Sequence, residues 1–195
     1  KDRREFTGSI LQQMNEVYDY IDIHNQTHAT IEKLLRVDIR DYPEIAVREA
    51  LLNLIVHREY SFHASGLISI FDDRIEFVSV GGLVPGIELE DVMVGISVCR
   101  NEELADVFYR LHLIEAYGTG LTKIMNVYKN TDKKPVIETT RNTFKIILPN
   151  INTGSRIIFA TAPIKTDNMP VFANPCAVIN AFMPSVSCTN IVPMA

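Results

Sequence analysis

At 195 residues, with 47% hydrophobic residues, 22% charged residues and a net charge of -5, the chain has the make-up of one ordinary globular domain with a short appendage. No apolar run approaches the roughly eighteen residues of a membrane span, and KDRREFTG is not followed by an apolar stretch with a small-residue cleavage site, so no membrane contact and a cytoplasmic address are expected. The acidic balance argues against direct attraction to a nucleic-acid backbone, and Cys99, Cys176 and Cys188 fall in no CxxC or histidine-bearing spacing, which argues against a zinc cage or a disulfide framework.

In chain order, Ser9 followed by Gln12 has the form of a capping box, and Leu11, Met14, Tyr18 and Ile21 then recur at helical spacing. Polar residues from Asn25 to Thr30 interrupt that pattern, so the stretch to Arg40 reads as a loop with a short helical piece. Asp41 and Pro43 open a second helix, which runs to about His57. After Gly66 the period changes: Leu67 to Phe71 and Arg74 to Val80, joined at Asp72-Asp73, read as a hairpin that Gly81 and Gly82 terminate. A short helix is expected over 88–94, and another is capped by Asn101, with Leu104, Val107, Phe108 and Leu111 as its buried stripe. Gly118 and Gly120 precede a further helical face of Leu121, Ile124 and Tyr128. Strands over 136–140 and 143–148 flank a turn at Arg141-Asn142, and Pro149 stops the second.

Beyond Arg156 the character shifts. Lys165 and Asp167 are the last charges, while five of the nine prolines fall there. The division expected is a domain over 1–150 and an apolar, proline-rich tail over 151–195, whose pieces read as edge strands or an arm that associates with a second copy.

The chemistry concentrates on the second helix. Glu49, Asn53 and His57 are spaced i, i+4, i+8 and share one face, while aliphatic residues fill nearly all the rest of the circumference and Ala46 and Ala50 flank the polar strip. A strip of this kind is either a solvent-facing stripe or the wall of a pocket. Gly81-Gly82 and Gly118-Thr119-Gly120 supply two glycine sites where backbone N–H groups could approach phosphate oxygens, although each alone also reads as an ordinary turn or helix start. His57 reads equally as a buried structural histidine, Asn101 as a helix cap and Thr143 as a strand former.

Taken in order, Glu49-x3-Asn53-x3-His57, a hairpin ending in Gly-Gly, GTGL and TFKIILP resemble the GHKL ATPase superfamily. More closely, YPEIAVREALLNLIVHREYS, IFDDRIEFVSVGGLVPG, CRNEELADVFYRLHLIEAYGTGL and TFKIILP resemble the C-terminal domain of transcriptional regulators often labelled RecG-related helicases, from about Arg4 to Asn150. The resemblance implies a Bergerat-type α/β (α+β) two-layer sandwich: a mixed, mainly antiparallel sheet with helices on one face. It also implies that the chain is part of a longer regulator, with a Schlafen/AlbA-type domain before it and DNA contact made only through other domains. ATP and Mg2+ are the implied ligands. Glu49 would be the general base of a weak ATPase, Asn53 the magnesium ligand, Gly118, Thr119 and Gly120 the lid and phosphate contacts, and Thr143 a neighbour of the nucleotide. His57, Ser79, Gly81, Gly82, Arg100 and Asn101 complete the expected binding set. One position departs from the pattern: the first glycine box of active members begins with an aspartate that binds the adenine amino group, and here Ser79 stands there. A helicase motor is not expected, since no GxxxxGK[ST] segment is present.

Overall fold

The computed structural model describes residues 3–115 and 118–153, and its first helix starts where the sequence sets a cap. In α1 (Ile10–His24), Ser9 Oγ accepts the Gln12 N–H at 3.2 Å, but the Gln12 side chain turns out to Glu16, so only half of the expected capping box forms. The stretch to Arg40, expected as loop and helical piece, is instead an antiparallel hairpin of β1 (Thr27–Glu32) and β2 (Leu35–Arg40). Thr27, Thr30, Ile31, Val37 and Ile39 favour strands. The pattern is hidden because the turn at Lys33-Leu34 lacks glycine, asparagine and proline, and Lys33 itself takes the left-handed φ of 58°. Arg40 ties the base of the hairpin to the helices, donating to Asp22 Oδ1 at 2.7 Å, Asn25 O at 2.9 Å and Glu44 Oε1 at 2.8 Å.

Helix α2 (Glu44–Val56) follows Pro43 and is apolar around most of its circumference. Such a helix must be enclosed, and α2 packs on α1, on a later helix and on the sheet, with Ala46 and Ala50 fully buried. The sheet consists of β3 (Leu67–Ile70), β4 (Arg74–Val80), β5 (Val136–Thr139) and β6 (Thr143–Pro149) in the order β3-β4-β6-β5, antiparallel throughout. Strict alternation along β4 turns Ile75, Phe77 and Ser79 toward the helices, opposite Leu148, Ile146 and Phe144 of β6. The other face carries charge: Lys145 Nζ lies 3.1 Å from Glu76 and 3.5 Å from Glu138. Helices on one face of an antiparallel sheet make the α+β sandwich that the resemblance implies.

Between β4 and β5 lie α3 (Leu89–Val94), α4 (Glu102–Arg110) and α5 (Gly120–Val127). Of the stripe expected on α4, only Phe108 is buried, while Val107 and Leu111 stand about half exposed at 50% and 48%. The helix is rotated so that a second face, Glu102, Ala105, Asp106 and Tyr109, borders a cavity, which pushes Val107 and Leu111 outward. Asn101 stands at the N-cap of α4 but makes no side-chain cap there. Its amide instead donates to Val56 O and Arg58 O, both at 2.8 Å, and so stitches the start of α4 to the end of α2. Among the described residues no helix is long and apolar enough to cross a membrane. The arm expected over 151–195 lies, from residue 154 on, outside the described residues.

Candidate functional site

The polar strip of α2 faces inward. Glu49 is only 8% exposed although it carries a carboxylate, and with Asn53 and His57 it forms part of the wall of a cavity of ≈ 510 Å³. A solvent-facing stripe is thereby excluded. The opposite walls come from the ends of β4 and β6, the segment 83–100 and α4. Leu83, Val84, Ile87, Ile96 and Phe144 make much of that lining apolar.

Gly120 opens α5 directly against the strip. A Cβ there would stand 3.0 Å from both Asn53 Nδ2 and Glu49 Oε2, so glycine lets the helix N-terminus, with its unpaired N–H groups and positive dipole end, approach the two polar heads. Gly118, at φ 60°, sits still more tightly on the Ser97 side chain, whose Oγ would be 2.7 Å from an added Cβ, and Thr119 Oγ1 donates to Glu115 Oε2 at 3.3 Å. Around Glu49 the charges alternate. Arg48 Nη1 donates to Glu49 Oε1 at 2.5 Å, while Lys123 Nζ lies 3.9 Å from the same oxygen and 2.7 Å from Glu115 Oε1. Lys123 holds the Glu115 carboxyl below the usual carboxylate range. Asn53 Nδ2 donates to Glu49 O at 2.8 Å, and its Oδ1 has no donor among the described residues. That oxygen suits a hard cation. No cluster of three acidic, histidine or cysteine side chains able to hold a metal exists among the described residues, so a magnesium ion would rest on Asn53 plus phosphate oxygens and waters, its usual company.

The first glycine segment works differently from expectation. Gly81 takes φ 100°, but its N–H is consumed by Asn142 O at 2.8 Å, and a Cβ on Gly82 would stand 2.6 Å from Arg141 O and overlap Thr140 O. These glycines border the cavity and dock β4 on the β5–β6 turn, with no N–H of Gly81 left for a phosphate. Arg100 also borders the cavity, donating to Glu59 Oε2 at 2.6 Å and to Gly82 O at 2.8 Å, which pins the segment before α4 to the end of β4. Three expected residues are placed outside the lining. Ser79 is 3% exposed and donates to Phe144 O at 3.3 Å, Asn101 is engaged by α2, and Thr143 is paired with Thr140 Oγ1 at 2.6 Å. Phe144, the direct register partner of Ser79 on β6, lines the cavity instead. Sequence reading missed Arg48, Glu59, Glu115 and Lys123. Only Lys123 left a trace there, since at i+3 from Gly120 it shares that residue's face of α5.

His57, the C-cap of α2, is kept neutral by burial and by the neighbouring Arg100, which together hold its pKa below the ordinary value of 6.5. The sign of the consequence is fixed. In the unfolded chain the imidazole takes up a proton near pH 6.5, so below that pH the unfolded state binds more protons and stability falls as the pH drops toward the folded pKa. Denaturation midpoints taken from about pH 8 down to about pH 5.5 should decline in the wild type and less in His57→Gln. Parallel curves for the two proteins would overturn this assignment.

The site is a helix-walled cleft on an antiparallel sheet, with a carboxylate and a carboxamide one turn apart beside a glycine-led helix start. Residues 64–148 match the family described as "Putative ATP-dependent DNA helicase recG C-terminal". The chain is thus similar to the RecG-related ATPase-like domains, and the matched segment carries both glycine sites and Arg100, while Glu49, Asn53 and His57 precede it. Among solved structures, the crystal structure of the DIP2311 protein from Corynebacterium diphtheriae shares the fold, with a TM-score of 0.68 at 23% identity. The alignment covers 73% of this chain and 30% of that one. No curated protein matches.

Proposed function

We propose that this chain is a nucleotide-binding regulatory module of a transcriptional regulator, taking a magnesium-bound nucleoside triphosphate, ATP by preference, in the cavity beside α2. The observation that carries this reading is the inward-facing Glu49–Asn53 pair against the N-terminus of α5, in a cavity whose remaining wall is largely apolar. The charged end suits phosphates and the apolar end suits a base. Magnesium, when bound, would neutralise phosphate charge. Glu49 would orient water for slow hydrolysis, and Lys123 would swing from Glu115 to a phosphate oxygen. Contact with DNA is assigned to other domains of the regulator, and its compartment to the cytoplasm. Calorimetric titration with magnesium–ATP and magnesium–GTP tests this, and heats equal to dilution for both would count decisively against it.

A second reading, a fold that has lost its nucleotide and serves as a dimerisation or DNA-presenting scaffold, is favoured by the internal use of the Ser79 hydroxyl and the Gly81 N–H. It predicts those dilution heats together with a dimeric mass in light scattering.

A further inference from the structure

Glu49, Asn53 and His57 leave α2 at successive turns, so at the helical rise the outer two are about 12 Å apart along the cavity. At one end of that line stand Lys123 and Glu115, while near the other the charges of Arg100 and Glu59 are spent on each other. The other end is His57, and there the protein's own polar groups are already engaged. Val56 O and Arg58 O accept from Asn101 at 2.8 Å, Ile55 O accepts from the Tyr60 hydroxyl at 2.9 Å, Val80 O accepts from Glu59 N–H at 2.8 Å, and Gly82 O accepts from Arg100 at 2.8 Å. Ser79, in the position where an acidic anchor is missing, is buried and spends its hydroxyl on Phe144 O. The His57 ring is what remains. Neither of its nitrogens has a hydrogen-bond partner among the described residues, only its backbone N–H is used, on Asn53 O at 3.1 Å, and the ring borders the cavity. A histidine kept only for structure normally satisfies its ring nitrogens within the protein. A neutral imidazole carries a donor on one ring nitrogen and an acceptor on the other, pointing to different sides of the ring, so one of them can meet a single donor or acceptor on the edge of a purine.

We propose that His57 reads the base of the bound nucleotide, offering it one ring nitrogen as a hydrogen-bond partner where the Ser79 hydroxyl is already spent on Phe144 O. The inference rests on the nucleotide reading above and adds the group that sets base selectivity. Arg100, clamped to Glu59 and Gly82, stays beside the ring and adds to burial in keeping it uncharged.

The test is calorimetric titration of wild type, His57→Ala and His57→Gln with three probes: magnesium–ATP, magnesium–GTP and magnesium tripolyphosphate, which has the phosphates and no base. Both variants should bind tripolyphosphate like the wild type and ATP about tenfold more weakly, the loss of one good hydrogen bond, with the ATP-to-GTP ratio altered in His57→Gln. An equal loss for ATP and tripolyphosphate would mark a structural role and overturn the assignment, as would unchanged ATP binding or a wild type that holds tripolyphosphate as tightly as ATP. A wild type that binds none of the three overturns the nucleotide reading as well, which separates the two failures. Because glutamine keeps most of the ring's volume, His57→Gln carries the test should the alanine variant not fold.

Discussion

Replacing Glu49 by glutamine is expected to lower phosphate release from magnesium–ATP by about 100-fold or more, while nucleotide binding persists. Glutamine keeps the length of the side chain and an acceptor for Arg48 Nη1, so the Arg48 contact and the packing beside Gly120 survive the change. What it removes is the carboxylate that could draw a proton from water, and among the described residues the other carboxylate at this end, Glu115, is bound up with Lys123 and Thr119. The readout is a phosphate-release assay on purified wild type and variant, paired with calorimetry on both. If release continues unaltered in Glu49→Gln, either Glu49 is not the base or the activity belongs to a contaminant.

Gly82→Ala is expected to cost about 3 kcal/mol of folding stability, the upper end of what overpacking does, or roughly a 100-fold shift of the folding equilibrium. The new methyl group would overlap the Thr140 carbonyl oxygen and lie 2.6 Å from that of Arg141. These are backbone atoms of the β5–β6 turn, which cannot rotate aside as a side chain can. The Gly81 N–H bond to Asn142 O and the Arg100 bond to Gly82 O depend on the same close approach, so the loss should spread to the segment before α4. Urea unfolding measures the cost. A midpoint unchanged from wild type would show that the turn gives way freely and that the glycine is not needed for docking.

The two glycine sites therefore look alike in sequence and act differently in space. Gly120 lets a helix start approach polar heads, whereas Gly82 lets two backbones touch. Neither role is visible in the local sequence, because both depend on atoms of residues far away in the chain, Asn53 and Glu49 for Gly120 and Thr140 and Arg141 for Gly82.

Much of the fold is nonetheless written locally. The Ser9 cap, the Pro43 start, the alternation of Ile75, Phe77 and Ser79 and the strands around Arg141-Asn142 are short-range patterns, and each became the element it predicts. The hairpin of β1 and β2 escaped because its turn lacks the usual residues, and half of the α4 stripe faces outward because that helix must also border a cavity.

By itself, the sequence determined that α2 is enclosed, since so apolar a helix has no stable alternative, and that its three polar residues share one face. Only the tertiary structure decided which way that face points, which N–H groups remain free, and that Ser79 is buried against β6 while His57 stands open to the cavity. Periodicity sets the direction of a side chain relative to its own element, but whether a polar head meets water, a partner or an empty space depends on which distant segments fold over it.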